Sequence, residues 1–179
     1  MRRNVLSSIN SRESEKTNEF NTQLENVEIN LLTSVFMIQF KYFKTKPNRP
    51  SETLKKIKEI NSKNPEINFL EGLIAKAKGQ KVIAKAWFEK YLLLYPFHVP
   101  ALVELSSIMV DLDELEMAKH YLDSALHIDR SNFKIHKILT VYYEKLDVME
   151  MSLKHSKLAA HLKRSTPLDR FFATDLFVL

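Results

Sequence analysis

One spacing constrains this chain more than any other feature. Offset by 34 residues, the segments Pro65–His98, Val99–Asn132 and Phe133–Thr166 fall into register without a gap. Small residues share a column at Gly72, Ser106 and Thr140, and turn residues share one at Gly79, Asp113 and Asp147. Ala84, Ala118 and Ser152 form another column, as do Tyr91, Ala125 and Ala159, and Leu94, Ile128 and Leu162. A period of this length marks a solenoid whose unit is a pair of helices. Small side chains let the two helices cross closely, while bulky apolar ones fill the space on either side. Asp113 with Glu116, and Asp147 with Glu150, have the spacing of capping boxes, so each Asp is expected to begin a helix. Gly79 is expected to end one in a left-handed conformation.

Composition agrees with an all-α chain. There are 2 glycines in 179 residues, too few for the tight turns of an all-β protein, and 45% of the residues are hydrophobic, enough for a core. Cysteine is absent, which removes disulfides, thiolate zinc sites and cysteine nucleophiles. The first twenty residues lack the apolar core of a signal peptide, and Leu31–Phe43 is too short to span a bilayer. A cytoplasmic location without membrane insertion is the expectation.

The residues NFLEGLIAKAKGQKVIAKAWFEKYLLLYP carry Gly72, Gly79, Ala84, Phe88 and Pro96 at the places of a tetratricopeptide motif. In the next segment Leu105, Ala118, Ala125 and Leu126 match, and in the third Tyr143 and Ala159. The chain therefore resembles the tetratricopeptide family over residues 65–166, although Ser152 and Ser156 depart from the motif and Arg130 and Arg164 stand where it prefers Pro. The resemblance implies a right-handed α-solenoid that binds another protein and has no catalytic residues, cofactor or metal. It also implies a concave groove, lined by the first helix of each repeat, that holds an extended peptide or an amphipathic helix. Its columns fall on Phe69, Leu73, Lys76 and Ala77, on Val103, Ser107, Val110 and Asp111, and on Lys134, Lys137, Val141, Glu144 and Lys145. The Lys/Asn clamp by which some family members grip acidic chaperone tails is missing, since Phe69, Leu73, Glu104 and Ile138 occupy its columns and Lys134 alone matches. The groove is expected to be apolar at one end and basic at the other. The layout is also similar to the translocator chaperones of type III secretion systems, without a motif private to them.

Outside the repeats, residues 1–20 are polar and read as a disordered tail. Residues 21–64 read as a divergent helical pair, Leu24–Phe43 and Ser51–Ser62, around the basic loop KTKPNRP, with Ser51 as the second helix's cap. Residues 167–179 read as a C-terminal capping helix, with Phe171, Phe172 and Phe177 making a docking segment the alternative. Charge is uneven. Lys41, Lys44, Lys46, Arg49, Lys55, Lys56, Lys58 and Lys63 face only Glu52 and Glu59, whereas seven acidic residues between Glu104 and Asp129 face only Lys119. Two solvated faces explain this; an oppositely charged partner or a second copy of the chain is the sharper alternative. The basic segment could also neutralise phosphates, which keeps nucleic-acid binding as the runner-up. No phosphate loop, nucleophile elbow or zinc helix is present. His120 with His127, and His155 with His161, are spaced too poorly to share a metal.

Overall fold

The computed structural model describes residues 2–42 and 48–165. Eight α-helices and no strand occur among these residues. The chain divides into two compact units, Met1–Leu70 and Glu71–Leu179, with the boundary inside the third helix. The expected C-terminal helix at 167–179 lies outside the described residues, as do positions 44–47 of the basic loop.

In the first unit α1 (Arg2–Tyr42) packs against α2 (Asn48–Ile60). Ile29 and Phe36 lie two turns apart on the inward side of α1, and Leu54 and Ile57 on that of α2. Gln39 accepts a 2.8 Å hydrogen bond from the Thr53 hydroxyl, fixing the two helices in register. Two expectations change here. The helix begins at Arg2 and includes the residues read as a disordered tail, whose Arg, Glu and Lys residues favour helix without needing a buried face. Likewise α2 begins at Asn48, which leaves Ser51 inside the helix and not at its cap.

The repeats are α3 (Glu66–Ala77) with α4 (Lys81–Leu92), α5 (Val99–Asp111) with α6 (Leu115–Ile128), and α7 (Phe133–Lys145) with α8 (Met149–Ser165). Within repeats α5 packs on α6 and α7 on α8; across boundaries α4 meets α5, α6 meets α7, and α5 meets α7. The helix crossing in the first repeat shows why its column is small. A Cβ on Gly72 would sit 2.7 Å from the Phe88 ring, inside van der Waals contact. In later repeats these two columns hold Ser106 with Leu122 and Thr140 with Ser156, so the second-helix residue shrinks as the first-helix residue grows. Ser106 and Thr140 turn their hydroxyls onto the carbonyls of Leu102 and His136, at 2.6 and 2.9 Å, so neither adds an unpaired polar atom to the crossing.

All three turns have one geometry. Gly79, Asp113 and Asp147 adopt positive φ values of 76°, 65° and 58°. The amides of these residues donate to Lys76, Val110 and Glu144, and the next amides, of Gln80, Glu114 and Val148, donate to Ala75, Met109 and Tyr143. This paired pattern is a Schellman motif that closes the first helix of each repeat. The capping-box expectation is therefore corrected: Asp113 and Asp147 end helices, as Gly79 does, and do not begin them. Asp tolerates the left-handed region better than most residues, which explains its presence in the column.

The real start signals form a column that the sequence reading passed over. Asn64 Oδ1 accepts from the Glu66 amide at 2.9 Å, His98 Nδ1 from Ala101 at 3.3 Å, and Asn132 Oδ1 from Lys134 at 3.1 Å. These residues stand 34 apart, and each caps the first helix of its repeat. An aligned Asn, His, Asn column was the available signal.

Candidate protein-binding face

The expected groove residues lie on α3, α5 and α7, and the structure treats them in three ways. Phe69, Leu73, Val103 and Val110 are buried by the chain's own packing. They sit as core side chains, so the apolar anchors expected of the groove are not on offer in this conformation. Lys76 is half-buried; its Nζ donates to Glu104 Oε2 at 2.6 Å and to the Ser107 hydroxyl at 3.2 Å. This bridge ties α3 to α5 and uses up Lys76 and Ser107 as polar contacts.

Lys134, Lys137 and Val141 are different. They follow one another by three and four residues, which places them on one face of α7. Lys134 and Lys137 are exposed, and Val141 is 39% exposed. Of the lysines on the three first helices, Lys76 is neutralised by Glu104, and Lys145 reaches Asp113 at 3.0 Å. Neither Lys134 nor Lys137 has an ion-pair partner among the described residues. A short cationic face with one apolar side chain remains open. Ala77, Asp111 and Glu144 complete the expected columns: Ala77 is exposed, Asp111 pairs with Lys81 at 3.1 Å, and Glu144 accepts from the Ser152 hydroxyl at 3.2 Å.

The acidic run turns out to serve the array itself. Glu104, Asp111, Asp113 and Glu114 pair with Lys76, Lys81, Lys145 and Lys85, each lysine belonging to a neighbouring repeat. Asp123 is held by Lys119 one turn away at 2.6 Å, and Asp129 accepts from the Ser131 amide and the Asn132 side chain at 3.2 and 3.0 Å. Hydrogen bonding to Glu114 raises the pKa of Lys85, and hydrogen bonding to Asp123 raises that of Lys119, so both lysines stay charged. Contiguous acids in sequence are thus separate boundary contacts in space.

In the basic segment Lys41, Arg49, Lys55, Lys56, Lys58 and Lys63 are exposed. Lys41 lies over the Tyr42 ring, 5.7 Å from its centre, and Lys55 is 3.9 Å from Glu59. Lys44 and Lys46 lie outside the described residues. The histidines that meet are His136 and His155, across α7 and α8, a pairing the sequence did not suggest because 19 positions separate them. Among the described residues no three His, Asp or Glu side chains converge as metal ligands, and no helix is long and apolar enough to cross a membrane.

Comparison with known proteins agrees with this architecture. The structure of "MamA 41-end from Desulfovibrio magneticus RS-1" superposes with a TM-score of 0.60 at 16% identity, covering 78% of this chain and 77% of that one. "MamA MSR-1 C2" gives 0.56 at 23% identity, covering 70% and 73%. At these identities the likeness is one of fold. None of the curated protein sequences compared is significantly similar. The match to a sequence family is broader, extending over residues 7–178 and so over the helical pair as well as the repeats. The chain belongs to the anaphase promoting complex subunit 8 / Cdc23 family, a family of the tetratricopeptide type.

Proposed function

We propose that this chain is a protein-interaction module whose ligand is an acidic, amphipathic segment of another protein, seated along α7 at Lys134, Lys137 and Val141. The observation that carries this reading is the pair of exposed lysines, one turn apart, on the first helix of the third repeat. Lys76 on α3, by contrast, is already neutralised from within the chain. A ligand carboxylate beside Lys134 and Lys137 would form charge-assisted hydrogen bonds, and a Leu or Phe anchor would cover Val141. The family's name describes a subunit of a multi-protein complex, which agrees with protein binding as the role.

The test uses a peptide array. Helix-forming peptides with Leu or Phe anchors and flanking Glu should bind, while the same peptides with Lys in place of Glu should not. Lys134→Glu with Lys137→Glu should invert that preference and should act mainly on association rate and its salt dependence. Unchanged preference in a folded double variant would rule out α7 as the site.

A further inference from the structure

Among the described residues, the third repeat leaves open a face that the second repeat has covered. Val103, Val110 and Leu122 are buried, and α7, the next first helix, packs on α5 and α6. Their 34-residue columns hold Lys137, Glu144 and Ser156, all exposed. Tyr143 and Ala159, in the columns of the buried Met109 and Ala125, are half-buried. The α7–α8 pair thus lacks what α5 and α6 have, a following first helix. Lys137, Val141 and Glu144 lie on the face that such a helix covers.

The next residues lie outside the described ones, and their sequence continues the period. Thr166 stands in the column of Asn64, His98 and Asn132, each the cap of a first helix, and Pro167 follows at the position that suits a helix start. Thr174 joins the small column of Gly72, Ser106 and Thr140. Phe171, Leu176, Phe177 and Val178 align with Val103, Ile108, Met109 and Val110, all buried in α5. Asp169 and Arg170 break the apolar pattern of Ala101 and Leu102, but Asp169 falls in the first turn, at the end of the array's first helices where α7 carries Lys134 and Lys137. As a helix, residues 167–179 would be about 20 Å long at about 1.5 Å per residue, the length of α7, which also has 13 residues.

The end of α8 stands between the two. Leu92 and Ile128, the last residues of α4 and α6, align with Ala160 and Leu162, yet α8 runs on to Ser165. Asp129–Asn132, which reverse the chain after α6, align with Lys163–Thr166, and Lys163, Arg164 and Ser165 are helical. Arg164 holds the column of Pro96, so no proline halts the helix there. We propose, on the basis that α7 is the docking face, that residues 166–179 are its ligand in cis. The chain reverses at 163–166, the segment covers Lys137 and Val141 as the first helix of a fourth register, and a partner has to displace it. The last turn of α8 is the switch: helical, it leaves the face open; unwound, it lets the segment close over α7. A helix end opens at little cost.

A segment tethered this closely acts at an effective concentration of about 1 mM. For an intrinsic Kd of about 100 μM, the face becomes about tenfold less available to a partner. The probe is a labelled peptide of residues 166–179, added to the full chain and followed by fluorescence anisotropy. Phe171→Ser with Phe177→Ser, which disables the tethered copy, should bind the probe about tenfold more tightly than the wild type does. Adding Lys134→Glu with Lys137→Glu should remove that gain. Arg164→Pro, which breaks the last turn of α8, should bind the probe more weakly than the wild type. Equal binding by the wild type and the serine variant overturns the proposal, as does a probe that binds neither. Acidic peptides of the peptide array that still bind α7 would then leave α7 standing as a docking face; if they fail too, both readings fall. A gain that survives both glutamates overturns the assignment to α7. If the serine variant loses helicity, Arg164→Pro decides, and unchanged probe binding there overturns the switch.

Discussion

His136 and His155 face each other across the last helix pair with their Nδ1 atoms 3.0 Å apart. The carbonyl of Arg130 lies 2.9 Å from His136 Nε2 and can only accept, so that nitrogen carries a proton. Of the two Nδ1 atoms, one donates and the other accepts. The two ring planes lie within 16° of each other, edge to edge with centroids 5.2 Å apart, and the Tyr143 ring lies within 4° of parallel to His155 with its centroid 5.5 Å away.

This arrangement makes the third repeat acid-sensitive. Burial, then the charges of His136, Lys154 and Lys119, push the pKa of His155 below its ordinary value of 6.5. In the unfolded chain the imidazole takes up a proton near that value; in the folded chain it does so only at lower pH. Its contribution to stability is therefore full above about pH 6.5 and is lost as pH falls toward the lowered folded value. Melting temperature should drop between pH 7.5 and 5, and His155→Gln, which keeps a donor and does not titrate, should flatten that drop. An equal acid loss in the variant would clear His155 of responsibility.

The left-handed turns give a test with opposite signs at one site. Asp147→Gly relieves positive φ and should change stability by no more than about 1 kcal/mol, in the stabilising direction, while Asp147→Val should lose about 1–2 kcal/mol. Asp113→Gly should gain less, because it also removes the contact with Lys145. Thermal unfolding of the three variants checks the order. A capping role for Asp147 would make the glycine variant the less stable protein.

At the crossing of α3 and α4, Gly72→Ala forces a methyl group into the Phe88 ring and should cost about 1–3 kcal/mol. Pairing it with Phe88→Leu imitates the Ser106 and Leu122 columns of the next repeat. The double variant should be more stable than the sum of the single losses. A double-mutant cycle with no coupling would show that the backbone, not the ring, sets the limit.

Removal of the first-helix caps should be costly where the aspartates are not. Asn132→Ala should lose about 0.5–2 kcal/mol by freeing the Lys134 amide. Asn132→Asp should retain most of the stability. Equal losses from both would mean that the side chain acts through its bond to Asp129 instead.

Much of this fold was legible because the chain repeats itself. The 34-residue register sets three segments, Pro65–His98, Val99–Asn132 and Phe133–Thr166, and each of them holds one observed helix pair. The capping role was misassigned because Asp suits both a helix start and a left-handed stop, and only φ separates them. The groove columns could be placed by period, but not their burial. Whether Phe69 or Val103 is anchor or core depends on how closely neighbouring helices approach, which a column does not record. Lys76 shows the same limit: nothing within one repeat announces a carboxylate 28 positions away.

The lysine–carboxylate contacts at the repeat boundaries bear on how the array comes apart. Lys76–Glu104, Lys81–Asp111, Lys85–Glu114 and Lys145–Asp113 each join one repeat to the next, and none strengthens a repeat internally. Partly exposed pairs of this kind contribute about 0.2–1 kcal/mol each, and salt screens them. In a chain of nearest-neighbour units, weakening the couplings while leaving the units intact lowers cooperativity before it lowers midpoint. Raised ionic strength should therefore broaden the unfolding transition, as helix pairs begin to open one at a time instead of together.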